Sequence, residues 1–202
     1  MTIRFLLLLI LFTAELCSGQ SEYSALTAYY GSQKNFNGVV LVATNGRVDF
    51  LAGVGLANRQ DSVPINSQTK FKIASVTKTF TAVLILKLFE QGKIDLNEKF
   101  GAYFPEYKGE AKQSATIHNL LTYSSGIPDC EGNRGIKVYQ TRATVEDFID
   151  KHCSGKPEFE PGTQFRYENG SYIILGRIIE KITGKSFAQN LRDEILEPLD
   201  MK

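Results

Sequence analysis

The 202-residue chain has no tryptophan, only two histidines and three cysteines. Without tryptophan or a cluster of other aromatics, nothing marks a ring platform for sugars, and no carbohydrate ligand is expected. The two histidines, His118 and His152, are the only imidazole bases available to a Ser-His-Asp hydrolase, and the chain has no Gly-x-Ser-x-Gly elbow. With Cys130 and Cys153 they show no ligand spacing typical of zinc, so no metal is expected. Net charge is +1, and no long block carries one sign. That excludes nucleic acid and a polybasic membrane patch as the main partner. Internal repeats, low-complexity tracts and Pro/Gly/Ser linkers are absent too. Thr183-Gly184-Lys185-Ser186 is not a phosphate loop, because the position needing an earlier glycine holds Ile179.

What is present begins with a leader. "MTIRFLLLLILFTAELCSGQ" has a basic start at Arg4, an apolar run from Phe5 to Ala14 and the small residues Cys17, Ser18 and Gly19. This is the pattern of a secretory signal peptide over residues 1–19, and the run is too short to span a bilayer. Glu15 and Leu16 stand where lipoprotein processing wants small residues before Cys17, so ordinary secretion, to the periplasm or outside, is the expectation. Residues 20–202 then form one domain with room for a sizeable core. They keep Cys130 and Cys153, whose pairing in an oxidising compartment would stabilise by roughly 3 kcal/mol. Sequence leaves open whether the two approach closely enough.

A short helical segment around Glu22–Tyr30 precedes "NGVVLVATNGRVDFLAGVG". Two β-branched runs flank Asn45-Gly46 there, and both central positions of a type I′ turn need positive φ, so a hairpin is expected. From Phe71 the period changes. Phe80, Val83, Leu84, Leu88 and Ile94 fall mostly at three- and four-residue steps, with Gly92 as the stop. Thr116 and Thr144 are placed to cap further helices, and Ser186 with Gln189 makes a capping box. Ser171 to Lys181 reads as a helix burying Leu175, Ile178, Ile179 and Ile182, stopped by Gly184. The order is a hairpin followed almost entirely by helices. A lone hairpin is marginal in water, so helices must cover it or other strands must pair with it.

Two clusters carry chemistry. Ser75 and Lys78, three residues apart at a helix start, share one face of it. A serine hydroxyl needs a base to become a nucleophile, and a lysine shielded from water or placed near other cations can be one. The helix N-terminus favours negative charge developing beside Ser75. Spacing alone proves little, since Ser67 and Lys70 repeat it in a polar turn, and Ser75 could simply be a cap with Lys78 reaching solvent. The second cluster is Tyr167-Glu168-Asn169, ahead of an apolar helix and the chain's one Tyr-x-Asn. A tyrosine beside a lysine can shuttle protons, and Asn169 offers an acceptor and two donors. The plainer alternative packs Tyr167 in a core and makes Asn169 a cap.

"FKIASVTKTFTA", "ATIHNLLTYSSGIPD" and "PGTQFRYENGSYIILGRIIEKITGKSF", in that order, resemble the serine β-lactamase and penicillin-binding-protein superfamily. Within it they are most similar to class C β-lactamases and the related DD-peptidases and esterases. The resemblance runs from about Asn37 to the last residue. It implies an α+β, β-lactamase/transpeptidase-like fold in which the hairpin belongs to an antiparallel sheet beside a mainly helical region. It makes Ser75 the acylated nucleophile, Lys78 its proton-handling partner, Tyr167 an activator of Ser75 and later of water, and Asn169 a group contacting substrate and lysine. It leaves open which of Lys78 and Tyr167 is the base, gives "YSSGIPD" a structural role, and implies no cofactor. The implied substrate is a small molecule or peptide: a D-amino-acid peptide, a β-lactam or an ester.

A Lys-Thr-Gly or His-Thr-Gly type triplet on a late strand is also implied. Lys181-Ile182-Thr183-Gly184 is only a near miss at a helix end. The resemblance therefore predicts a domain truncated before its C-terminal strands, its activity impaired. Competing expectations are a non-catalytic protein that binds cell-wall peptides or a partner, and an inert fragment.

Overall fold

The computed structural model describes residues 23–33, 36–140 and 142–201, so the expected leader lies outside the described residues. The described residues divide into two compact units, one ending at Lys72 and the other beginning at Ile73.

In the first unit, helix α1 (residues 23–32) precedes an antiparallel hairpin of β1 (Gly38–Thr44) and β2 (Arg47–Val54). Asn45 and Gly46 have φ of 51° and 79°, the two positive values that a type I′ turn demands. The register runs from Gly38 opposite Val54 to Thr44 opposite Arg47, with an irregularity between Val42 and Ala43. A second pair, β3 (Leu56–Asn58) with β4 (Val63–Pro64), was not foreseen. Strands of three and two residues are too short for a period-2 pattern to show. Among the described residues of this unit Ile65 is the one buried apolar side chain, while Leu41, Val48, Leu51, Leu56 and Val63 are exposed.

The second unit is helical. The 3₁₀ turn Ala74–Val76 leads into α2 (Thr77–Glu90), whose buried stripe is Thr81, Leu84, Ile85 and Leu88. Val83, Leu86 and Phe89 lie on its exposed side, so α2 is apolar all round and the sequence period does not say which face goes inward. Helix α3 (Ile117–Leu121) starts with a Thr116–Asn119 capping box, and α4 (Val145–His152) starts with Thr144 accepting from Asp147 N. Helix α5 (Gly170–Thr183) buries Ile174, Leu175, Ile178 and Ile179, and ends at Gly184 with φ 69°. Ser186 and Gln189 box the start of α6 (Phe187–Leu191), which runs on into one π turn, Arg192–Leu196.

These helices close on one core with Phe100, Phe104, Tyr107, Ile127 and Ile195. Burying each large apolar side chain contributes about 1.5–3 kcal/mol. Cys130 and Cys153 are both buried in it as free thiols. Cys153 holds the Cys130 thiol beside it below its ordinary value, whereas Cys130 and burial push the Cys153 thiol up. Past Pro64 the described residues hold no strand, only the single bridge Lys99–Thr116. No helix of the described residues is long and apolar enough to cross a membrane.

Candidate active site

Three stretches of the second unit converge on Lys78. The first is the 3₁₀ turn with the start of α2. Ala74, with φ 44°, holds a strained left-handed conformation just before Ser75. Neither that turn nor α2 has a side-chain cap, so Ser75 is not spent as one. The expectation of Ser75 at the head of the helix is met with one change: it sits in the 3₁₀ turn, two residues before α2 begins.

The second stretch, residues 157–169, is held by backbone bonds to the loop after α3. Arg166 N donates to Tyr123 O (2.9 Å), Gly162 N to Ser124 O (2.8 Å) and Glu158 N to Gly126 O (2.8 Å). The Arg166 guanidinium adds a bond to Ile127 O (2.5 Å) and an ion pair with Glu158. Gly126 is required at this seam: its φ is 74°, and a Cβ there would lie 2.3 Å from Phe159 O. Ser125 Oγ, buried, meets Ser171 Oγ at 3.0 Å, and Ser124 Oγ accepts from Asn119 Nδ2 at 3.1 Å. Both serines are spent on hydrogen bonds that tie the loop to α3 and α5.

This framework delivers Tyr167 and Asn169 to Ser75 and Lys78, which come from the other end of the unit's sequence. Ser75 Oγ is 2.7 Å from the Tyr167 hydroxyl. Lys78 Nζ donates to the Tyr167 oxygen at 2.5 Å and also to Asn169 Oδ1. All four predicted residues are thus one hydrogen-bonded chain. Tyr167 is half exposed rather than packed in a core, and Asn169, although it stands at the N-cap of α5, makes no side-chain cap bond. That task falls to the buried Glu168, whose Oε2 accepts from Ser171 N at 2.9 Å.

The electrostatics follow from these contacts. Lys78 and then Ser75 hydrogen-bond the Tyr167 oxygen, and they hold its phenol below the ordinary tyrosine value. Burial pushes the Glu168 carboxyl up, opposed by the N–H groups of Ser171 and Gly170. Its Oε1 has no hydrogen-bond partner among the described residues.

Sequence reading missed the surroundings of these four. Tyr123 and Tyr172, with Tyr167, place three rings around the Lys78 ammonium, at 5.9, 5.8 and 4.2 Å from their centroids. Tyr123 lay inside a quoted motif but was read as part of a turn. In the third converging stretch, residues 129–139, the sequence marks Asp129 and Cys130 but neither Glu131 nor Tyr139. That stretch brings Glu131 and Tyr139 against the far side of Asn169, with Nδ2 to Glu131 Oε1 at 2.6 Å and to the Tyr139 hydroxyl at 2.9 Å. No local spacing marks them. His118 and His152 stay apart from this constellation, on α3 and at the end of α4. Among the described residues no group of three or more His, Cys, Asp or Glu side chains could hold a metal ion.

The family model described as Beta-lactamase matches residues 23–202. "Protein flp" of Staphylococcus aureus (strain MW2) is 34% identical over 173 residues, covering 81% of this chain and 33% of its own length. "Penicillin-binding protein 4*" of Bacillus subtilis (strain 168) is 32% identical over 176 residues, covering 85% of this chain and 38% of its own. Among solved structures, D-amino acid amidase from Ochrobactrum anthropi SV3, in complex with D-phenylalanine, superposes with a TM-score of 0.68 at 31% identity. That match covers 81% of this chain and 45% of the amidase. The chain therefore spans about a third of the length of these curated relatives.

Proposed function

The chain belongs to the Beta-lactamase family, and on that premise we propose that it is a serine hydrolase forming an acyl-enzyme at Ser75 on an amide or ester. One observation carries the reading: Ser75 Oγ touches the Tyr167 oxygen, and that oxygen is also the acceptor of the Lys78 ammonium. A phenol so placed is lowered toward its anion and lies within reach of the serine proton.

In the proposed reaction the Ser75 Oγ–carbonyl carbon bond forms while its proton passes to the Tyr167 oxygen. The Lys78 ammonium, also held by Asn169, stabilises the phenolate before that transfer. Collapse of the tetrahedral adduct breaks the C–N or C–O bond, and Tyr167 returns the proton to the leaving group. Water then repeats the sequence against the ester. The N-terminal end of α2 lends positive potential to the developing oxyanion. Relatives named as a penicillin-binding protein and a D-amino acid amidase support a β-lactam or a D-amino-acid peptide or amide as substrate, and an ester would react at Ser75 by the same steps. We extend the proposal to export of the protein, supported by the sequence of residues 1–19; N-terminal sequencing of the released protein tests it.

The deciding experiment is intact mass before and after a serine-directed acylating probe. A stoichiometric adduct is expected, absent in Ser75→Ala and formed roughly 100-fold or more slowly in Tyr167→Phe. A folded wild type that takes up no probe would replace this reading with a binding protein that acylates nothing.

A further inference from the structure

The side-chain amide of Asn169 is committed on both sides. Its Oδ1 accepts from Lys78, and its Nδ2 donates to Glu131 and to Tyr139. The Tyr139 hydroxyl in turn donates to the same Glu131 oxygen at 3.0 Å, which closes a triangle of Asn169, Tyr139 and Glu131. Tyr139 is itself fixed by stacking on Phe148, with centroids 5.5 Å apart and planes 20° from parallel. An amide can be turned over about its last torsion at little intrinsic cost, and its neighbours decide the orientation. Turned over here, the carbonyl would face the Glu131 carboxylate and the NH₂ would face an ammonium, and the Tyr139 hydroxyl would have to leave Glu131 to meet the carbonyl. The first two contacts would be repulsive.

We propose that Glu131, supported by Tyr139, is a positioning residue: it locks the Asn169 amide with Oδ1 toward Lys78 and so aims the lysine at Tyr167. Its contribution is orientation, and neither Glu131 nor Tyr139 exchanges protons with the reacting serine. The part of the inference that concerns rate rests on the acyl-enzyme reading above; the part that concerns the amide does not. The Tyr167 oxygen is bonded by Lys78 from α2 and by Ser75 from the turn before it, its ring lies against Tyr123 from the loop after α3, and Glu131 acts on it more distantly. Glu131 is the one carboxylate among them that also bonds Asn169.

The test uses the full chain with Glu131→Ala, Glu131→Gln, Asn169→Ala and the double variant Glu131→Ala/Asn169→Ala. In the unliganded protein, solvent exchange of the Asn169 Nδ2 protons is followed by NMR, the resonances being identified by their loss in Asn169→Ala. Exchange at least ten-fold faster in Glu131→Ala, with Glu131→Gln close to wild type, is expected. Acylation of Ser75 should slow roughly 10- to 100-fold in Glu131→Ala, in its maximal rate rather than in the probe concentration for half-saturation. Glu131→Gln should recover most of that loss, and the double variant should be no slower than Asn169→Ala alone.

Unchanged exchange in Glu131→Ala, or losses that add in the double variant, would overturn the proposal. A wild type that never acylates would remove the hydrolase reading, and the exchange measurement would still decide this one. Should Glu131→Ala fail to fold, Tyr139→Phe takes its place: exchange two- to five-fold faster supports the lock, and no change refutes it.

Discussion

The two units differ in what holds their secondary structure. In the first, the β1–β2 hairpin has a well-defined turn and register, yet only Ile65 of its described residues is a buried apolar side chain. In the second, helices from four parts of the sequence close on one core. Backbone pairing and a good turn specify a hairpin's shape, but two strands alone have little apolar surface to remove from water. A helical unit with a core can also hold strained features, such as the positive φ of Ala74 and Tyr123, at its site. The chemistry sits where the packing is.

Three experiments break or sharpen that contrast, the largest first. Ile178→Ala removes a fully buried side chain in α5 and should destabilise by about 2–5 kcal/mol in denaturant unfolding. Leu51→Ala, exposed on β2, should cost less than about 0.5 kcal/mol, and equal losses would erase the distinction between the units. Gly46→Ala puts a Cβ at φ 79° in the hairpin turn and should cost about 1 kcal/mol in the first unit alone. Serine acylation by the same variant should stay at the wild-type rate; a large loss there would tie the turn to the site.

A pH-dependent effect concerns Glu168. Burial raises its carboxyl above the ordinary value of 4.5, so the folded chain holds that proton at a pH where the unfolded chain has released it. Its contribution to stability is therefore complete below about pH 4.5 and is lost as pH rises through the folded value. Thermal unfolding from pH 4 to 7 should show the wild type declining relative to Glu168→Gln. Parallel curves would mean that Arg166 and the N–H groups of Gly170 and Ser171 hold the carboxylate charged.

Much of the fold was legible because it depends on near neighbours. Asn45-Gly46 announced the hairpin, Gly92 and Gly184 the ends of α2 and α5, and Thr116, Thr144 and Ser186 the starts of α3, α4 and α6. Each of these works through a bond or torsion a few residues away. The β3–β4 pair was not legible, being too short for periodicity, and neither was the inward face of α2. Within the site, Ser75, Lys78, Tyr167 and Asn169 stood out because each lies in a recognisable motif at a helix start. The same motifs led to the matched family, and the described structure brings the four together.

The sequence by itself determined which residue types stand at the heads of α2 and α5, and hence the kind of chemistry this chain is equipped for. Only tertiary structure decided that Asn169 is gripped from behind by Glu131 and Tyr139, and that Tyr123 and Tyr172 ring Lys78 with Tyr167. It also decided that Glu168, rather than Asn169, caps α5. Local patterns act over a turn or two of chain, as the Glu168 cap does, whereas the contacts of Asn169 and of Lys78 join residues 30 or more positions apart. Which of them meet depends on how the whole core packs.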